Sequence, residues 1–243
     1  MNSNFSFIII GLLFILTAIF FKSSKLQEKK IFYLSFYHFF QQFIFLPIVF
    51  LLLLNFSFQI IISPQIKNLF LTDLILIIGF FTCLLITIVG LAIHTISKTY
   101  SIYLKKFGDK NEDIFNLNNF FHMRFSHNLI YSFGILSAFF LSLMEISHQQ
   151  SYYSNNLIVF LSGLLIGLAS GKSINWYKES LNKSMYFLNS VILLVLAVSI
   201  LNFEKNYIYQ NPLYFIFLIG MVVIFLLTIF FPFINKKILK TQN

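Results

Sequence analysis

The stretch LTDLILIIGFFTCLLITIVGLAIHTISKTY, residues 71–100, decides the fold class. Its apolar run, taken as 69–95, is long enough as a helix to cross a hydrocarbon core of about 30 Å at about 1.5 Å per residue. Asp73 stands near one end and Lys98 just past the other. Comparable runs recur along the whole chain. Of its 243 residues, 58% are hydrophobic and only 10% are charged. A soluble domain carries about 25% charged residues. So few charges cannot cover a water-soluble globule of this size. A membrane β-barrel would show short alternating segments instead.

The expected fold is therefore all-α, a polytopic bundle of seven transmembrane helices making one integral membrane domain. The spans are read as about 5–21, 31–57, 69–95, 126–147, 156–172, 184–202 and 212–234. Pro47 predicts a kink in the second. The first run follows no basic residue and precedes no small-residue cleavage pattern, so it is taken as a span and not a signal peptide. Cys83 is the single cysteine, which excludes a disulfide within the chain.

The basic residues set a direction. Lys22, Lys25, Lys29 and Lys30 lie in the first connection. Lys98, Lys105, Lys106, Lys110 and Arg124 lie in the third. Lys172, Lys178 and Lys183 lie at the fifth, and Lys236, Lys237 and Lys240 in the tail. Only Lys67 and Lys205 fall in even-numbered connections. With seven spans this pattern places odd connections in the cytoplasm, the N-terminus outside and the C-terminus inside. The expected location is a bacterial-type plasma membrane. Tyr100, Tyr103, Trp176 and Tyr177 fall at inner boundaries. Tyr152, Tyr153, Tyr207 and Tyr209 fall at outer ones, the headgroup depth such rings favour. The net charge of +9 then faces anionic lipid of the inner leaflet. The partners expected are the bilayer and its anionic lipid, and nucleic acid is not needed.

The third connection, about 96–125, is the only one with enough surface to dock a cytoplasmic protein. Tyr100, Tyr103, Leu104 and Phe107 repeat at helical spacing, which carries the third span on toward Gly108-Asp109. Ile114, Leu117 and Phe121 repeat again before the fourth span. These segments are expected to lie at the interface. Gly163, Gly167 and Gly171, four apart in the fifth span, mark a close helix contact, within the chain or with a second copy.

Polar residues inside spans are costly and draw attention. His38, Gln41 and Gln42 share one face of the second span. Asp73, Thr87, Gly90, His94 and Lys98 form a stripe on the third. Asn128, Tyr131, Ala138, Ser142 and Glu145 form one on the fourth. Three such stripes are expected to face one another. Asp73, Glu145, Asn128 and Tyr131 are then candidates for an intramembrane polar or proton path, with both carboxylates near the outer end.

HMRFSH, residues 122–127, holds the only arginine of the chain, against sixteen lysines. Its spacing resembles a histidine box of membrane desaturases and hydroxylases. Those families use more histidines, in three boxes, than the five present here, so kinship is not inferred. If His38, His94, His122 and His127 converged, a metal would suit them. Residues five apart, however, lie about 140° apart on a straight helix, and on that geometry no metal site is expected. Arg124 is instead read as a two-pronged anion clamp, which lysine cannot copy. His94, Lys98, His122 and His127 would complete its pocket, and His38 and Gln42 would lie deeper. The plainer reading of Arg124 is a basic flank snorkelling to lipid phosphate.

No nameable chemistry appears, and no cofactor is indicated. The seventh span has no lysine for a retinal Schiff base. HExxH and G-x-S-x-G are absent, as are paired acidic motifs for prenyl transfer. GKS at 171–173 ends like a Walker A loop, but Ile166 stands where the earlier glycine belongs. The functional expectation is a ligand- or lipid-binding module, sensory or transporting, with a polar interior between helices two and four. The alternatives are a headgroup enzyme using Arg124 and nearby histidines, and an assembly subunit packing through the glycine face.

Overall fold

The computed structural model describes residues 3–31, 34–61, 71–107, 112–148, 155–176, 180–202 and 210–240. Nearly all of these are helical. In chain order they are α1 (Ser3–Lys22), α2 (Ser24–Glu28), a two-residue β1 (Lys30–Ile31) and β2 (Leu34–Ser35), and α3 (Phe36–Phe40). A π turn (Gln41–Phe45) follows, then α4 (Leu46–Ile61), α5 (Leu71–Phe107) and α6 (Glu112–Asn119). A second π turn (Phe120–Phe125) leads into α7 (Ser126–His148), α8 (Asn156–Trp176), α9 (Ser180–Asn202) and α10 (Pro212–Lys240).

Among the described residues, four helical stretches are long and apolar enough to cross a membrane: Phe36–Ile61, Leu71–Leu104, Glu112–Ser147 and Pro212–Phe230. Three shorter apolar stretches cover Asn4–Thr17, Asn156–Lys172 and Phe187–Ile200. Their outer faces are greasy. Leu71 is 74% exposed, Phe187 70% and Ile96 68%. Large apolar side chains this bare, repeated along every long helix, suit lipid and not water. The chain is thus a helical protein of membrane type. Lys67, Lys205, Tyr152, Tyr153, Tyr177, Lys178, Tyr207, Tyr209, Gly108 and Asp109, used above to place boundaries, lie outside the described residues.

The chain forms two compact units, one of residues 16–144 and one of 1–15 with 145–243. In the first, the second span begins later than the hydropathy run suggests. Residues 30–35 make a minute antiparallel pair, Lys30 opposite Ser35 and Ile31 opposite Leu34. Ser35 then caps α3, its hydroxyl accepting the His38 backbone N–H at 3.4 Å. The distortion expected at Pro47 takes the form of the π turn just before it. There the Leu46 N–H bonds the Gln41 carbonyl, five residues back. Proline crowds the carbonyl one turn before it, and a widened turn relieves that crowding.

The helical repeats read within 96–125 each belong to a long rod. α5 runs unbroken to Phe107, and Glu112–Ser147 is one continuous helical rod containing a π turn. The two rods pair along their length. Asn118 is buried and its amide donates to the Ser97 carbonyl at 3.1 Å and to Ser101 Oγ at 2.7 Å. That bond satisfies a buried polar side chain against the neighbouring backbone and clasps α6 to α5. Further along, Gly79 faces Phe140 and Gly90 faces Leu129 and Ile130. The two glycines are eleven residues apart, as are Phe140 and Leu129, so one antiparallel seam runs down both rods.

In the other unit the glycine face of α8 has a partner within the chain. A Cβ on Gly163 would stand 2.9 Å from the Ile216 carbonyl oxygen. One on Gly167 would stand 2.8 Å from that of Gly220, and one on Gly171 3.3 Å from Ile224 Cα. Missing side chains let α10 lie directly on α8. All three glycines are buried.

Candidate functional site

The site is built by three segments of the first unit. α5 supplies His94, one turn beyond the close contact at Gly90. The rod of α6 and α7 supplies His122, within its π turn, and His127 just after it. α3 supplies His38. Ring centroids of His94 and His122 are 4.7 Å apart, those of His94 and His127 4.9 Å, and those of His122 and His127 5.8 Å. His38 stacks on His94 at 6.4 Å. One nitrogen from each of His94, His122 and His127 lies within 4.8 Å of the others. His94 and His127 are buried and His122 half-buried.

The straight-helix argument that separates His122 from His127 does not hold. The Ser126 N–H bonds the Phe121 carbonyl, a five-residue step. In a π turn residues five apart stack on about the same face, so both imidazoles turn toward His94. The Ser126 hydroxyl donates to the His122 carbonyl at 2.6 Å and anchors the widened turn. Asn118, one turn before His122, holds the rod against α5 at Ser97, one turn after His94.

Polar partners are few inside this ring of imidazoles. His122 Nε2 is buried and has no hydrogen-bond partner among the described residues. The same is true of both polar atoms of Gln42, in the first π turn, and of Asn128 Oδ1. His38 differs. Its Nδ1 meets Ser35 Oγ at 2.6 Å, which fixes the ring. The Tyr131 ring stands edge-on to His127 at 6.1 Å. Lys98 lies close enough to His38, His94, His122 and His127 to act on each electrostatically.

Other candidates fall elsewhere. Arg124 is exposed, although the π turn carries it between two of the clustered histidines. Asp73 is buried in the first turn of α5, where a carboxylate complements the helix dipole. Glu145 belongs to the other unit. It is fully buried, and its Oε2 accepts the Tyr214 backbone N–H at 2.9 Å. Tyr214 is the third residue of α10, so Glu145 caps that helix from a distance. Both carboxylates therefore serve helix N-termini.

Sequence spacing brought forward every histidine of the cluster, but not Asn118, Ser35 or Ser126. The first two have a local signal, a polar residue at a helix start or on an apolar face. Ser126 has none. Comparison of the chain with known protein families, with curated proteins and with solved structures found no match.

Proposed function

We propose that the chain is a seven-span membrane protein that binds a small ligand among His38, His94, His122 and His127, as a carrying or sensing module. The three shorter apolar helices, added to the four long ones, support the count of seven. The alternation of lysines supports an outside amino terminus and a cytoplasmic carboxyl terminus in a bacterial-type plasma membrane. His94 lies twenty-three residues past Leu71, roughly 35 Å along the helix, which puts the cluster near one headgroup level and within reach of that aqueous side.

The observation that carries the reading is the convergence of four imidazoles from three segments of otherwise apolar rods. Groups of this kind are expensive in lipid and cluster where they hold something. The exposed Arg124 gives the headgroup-enzyme reading no comparable support. The test is thermal unfolding of the full chain in detergent against divalent metal ions, inorganic phosphate and phosphatidylglycerol. At least one is expected to stabilise the wild type, by about 2.7 kcal/mol at a hundredfold excess over its Kd, and to leave a His94→Ala/His127→Ala chain unaffected. If none separates the two proteins, the site holds no such ligand.

A further inference from the structure

Resting on that reading, we infer that the ligand is a divalent transition-metal ion of the zinc, cobalt, nickel and copper group, held by His94, His122 and His127. Imidazole is the commonest protein ligand for such ions. Zinc binds imidazole nitrogen at about 2.0–2.1 Å, so three nitrogens on a tetrahedral ion sit about 3.4 Å apart. The three rings already bring one nitrogen each to within 4.8 Å of the others. A bound ion would draw the three rings together across the remaining gap. The buried His122 Nε2, which has no hydrogen-bond partner among the described residues, is the atom a metal would satisfy.

The scaffold around the rings is stiff where it matters. Gly90 admits α7 against α5 one turn from His94. Asn118 clasps the rods one turn from both His94 and His122, and Ser126 fastens the π turn. Three ligands leave a fourth position for water or another donor, unlike closed structural zinc. His38 stands beyond this triad, its Nδ1 engaged by Ser35.

The charge balance works against tight binding. The triad contains no carboxylate, and Lys98 acts on every ring of the cluster. An ammonium so near a dication weakens its binding. That suits an ion taken up and released, and it makes Lys98 a handle on affinity.

The experiment uses the full chain in phosphatidylcholine nanodiscs, so that no anionic lipid competes for metal. Cobalt is titrated while visible absorption is recorded, and zinc is then added to displace it. One cobalt per chain is expected, with the intense bands of tetrahedral coordination, lost on adding zinc. His94→Gln, His122→Gln and His127→Gln are each expected to lower affinity at least about tenfold, since removing even an outer-shell partner costs 10–100-fold. His148→Ala is expected to match wild type. Lys98→Met is expected to tighten binding several-fold, a gain that misfolding cannot imitate. Absence of stoichiometric cobalt, or binding that survives all three substitutions, overturns the metal assignment. If phosphate or phosphatidylglycerol alone separates wild type from the double variant in the unfolding test, the metal assignment fails while the ligand site stands. If nothing does, both fail.

Discussion

A Cβ placed on Gly90 would stand 2.8 Å from the Cβ of Leu129. The two backbones are as close there as a bare glycine allows, and the histidines meet one turn further on. Gly90→Ala is therefore expected to cost about 1–3 kcal/mol by overpacking and to weaken cobalt binding as the rods part. Gly134→Ala is the contrast. Its Cβ would meet only Thr87 Cγ2, at 3.8 Å, so stability and cobalt affinity are expected to stay at wild-type values. Thermal unfolding and cobalt titration on both variants check this.

The π turn is one residue more than a regular helix needs. Deleting Met123 returns the segment to α-helical register with the two histidines four apart, again on one face. Cobalt binding is expected to survive the deletion within a few-fold. Inserting an alanine after Met123 sets them six apart and is expected to abolish it. The reverse order would show that the widened turn does not align these rings.

Glu145 is expected to act through its shape and acceptor oxygen. Glu145→Gln keeps an acceptor for the Tyr214 N–H, and its unfolding temperature is expected near that of wild type. Glu145→Leu strands a buried donor and is expected to lose about 1–3 kcal/mol. Equal losses in both variants would point to a need for the charge itself.

Acid should release the metal. Imidazole binds metal only when neutral, and protons compete for the same lone pairs. Acidifying the solution stepwise from about pH 7.5 to about pH 3 brings protons into competition with the metal, and cobalt affinity is expected to fall along the way. Lys98→Met should raise the whole curve while keeping its direction. An affinity indifferent to pH would falsify histidine ligation.

Topology is open to direct measurement. A reporter on the amino terminus is expected to be active outside the cell and one on the carboxyl terminus inside. Both reporters active on one side would remove the odd span count and, with it, the placing of the histidine end at the cytoplasmic face.

Much of the fold was legible because apolar length is a direct statement about the solvent. The long rods at 71–104 and 212–230 follow from that alone. The late start of the second span was less visible, since Ile31 and Leu34 are as apolar as the helix they precede. Only Ser35, a good cap, marks the true beginning. The histidines were legible as residues but not as a site. Nothing in FFHMRF announces a π turn, and one extra residue per turn changes which side chains share a face. The glycines of α8 declared a close contact without naming its partner, because small side chains specify proximity and nothing else.

The seam between α8 and α10 has a consequence for biogenesis. Its two halves are separated in sequence by all of α9, and the Glu145 cap likewise waits for residues 212–214. Until α10 enters the bilayer, α8 presents a bare row of small residues that any similar passing helix can occupy. A chain cut short before α10 leaves that row of small residues without the helix that covers it.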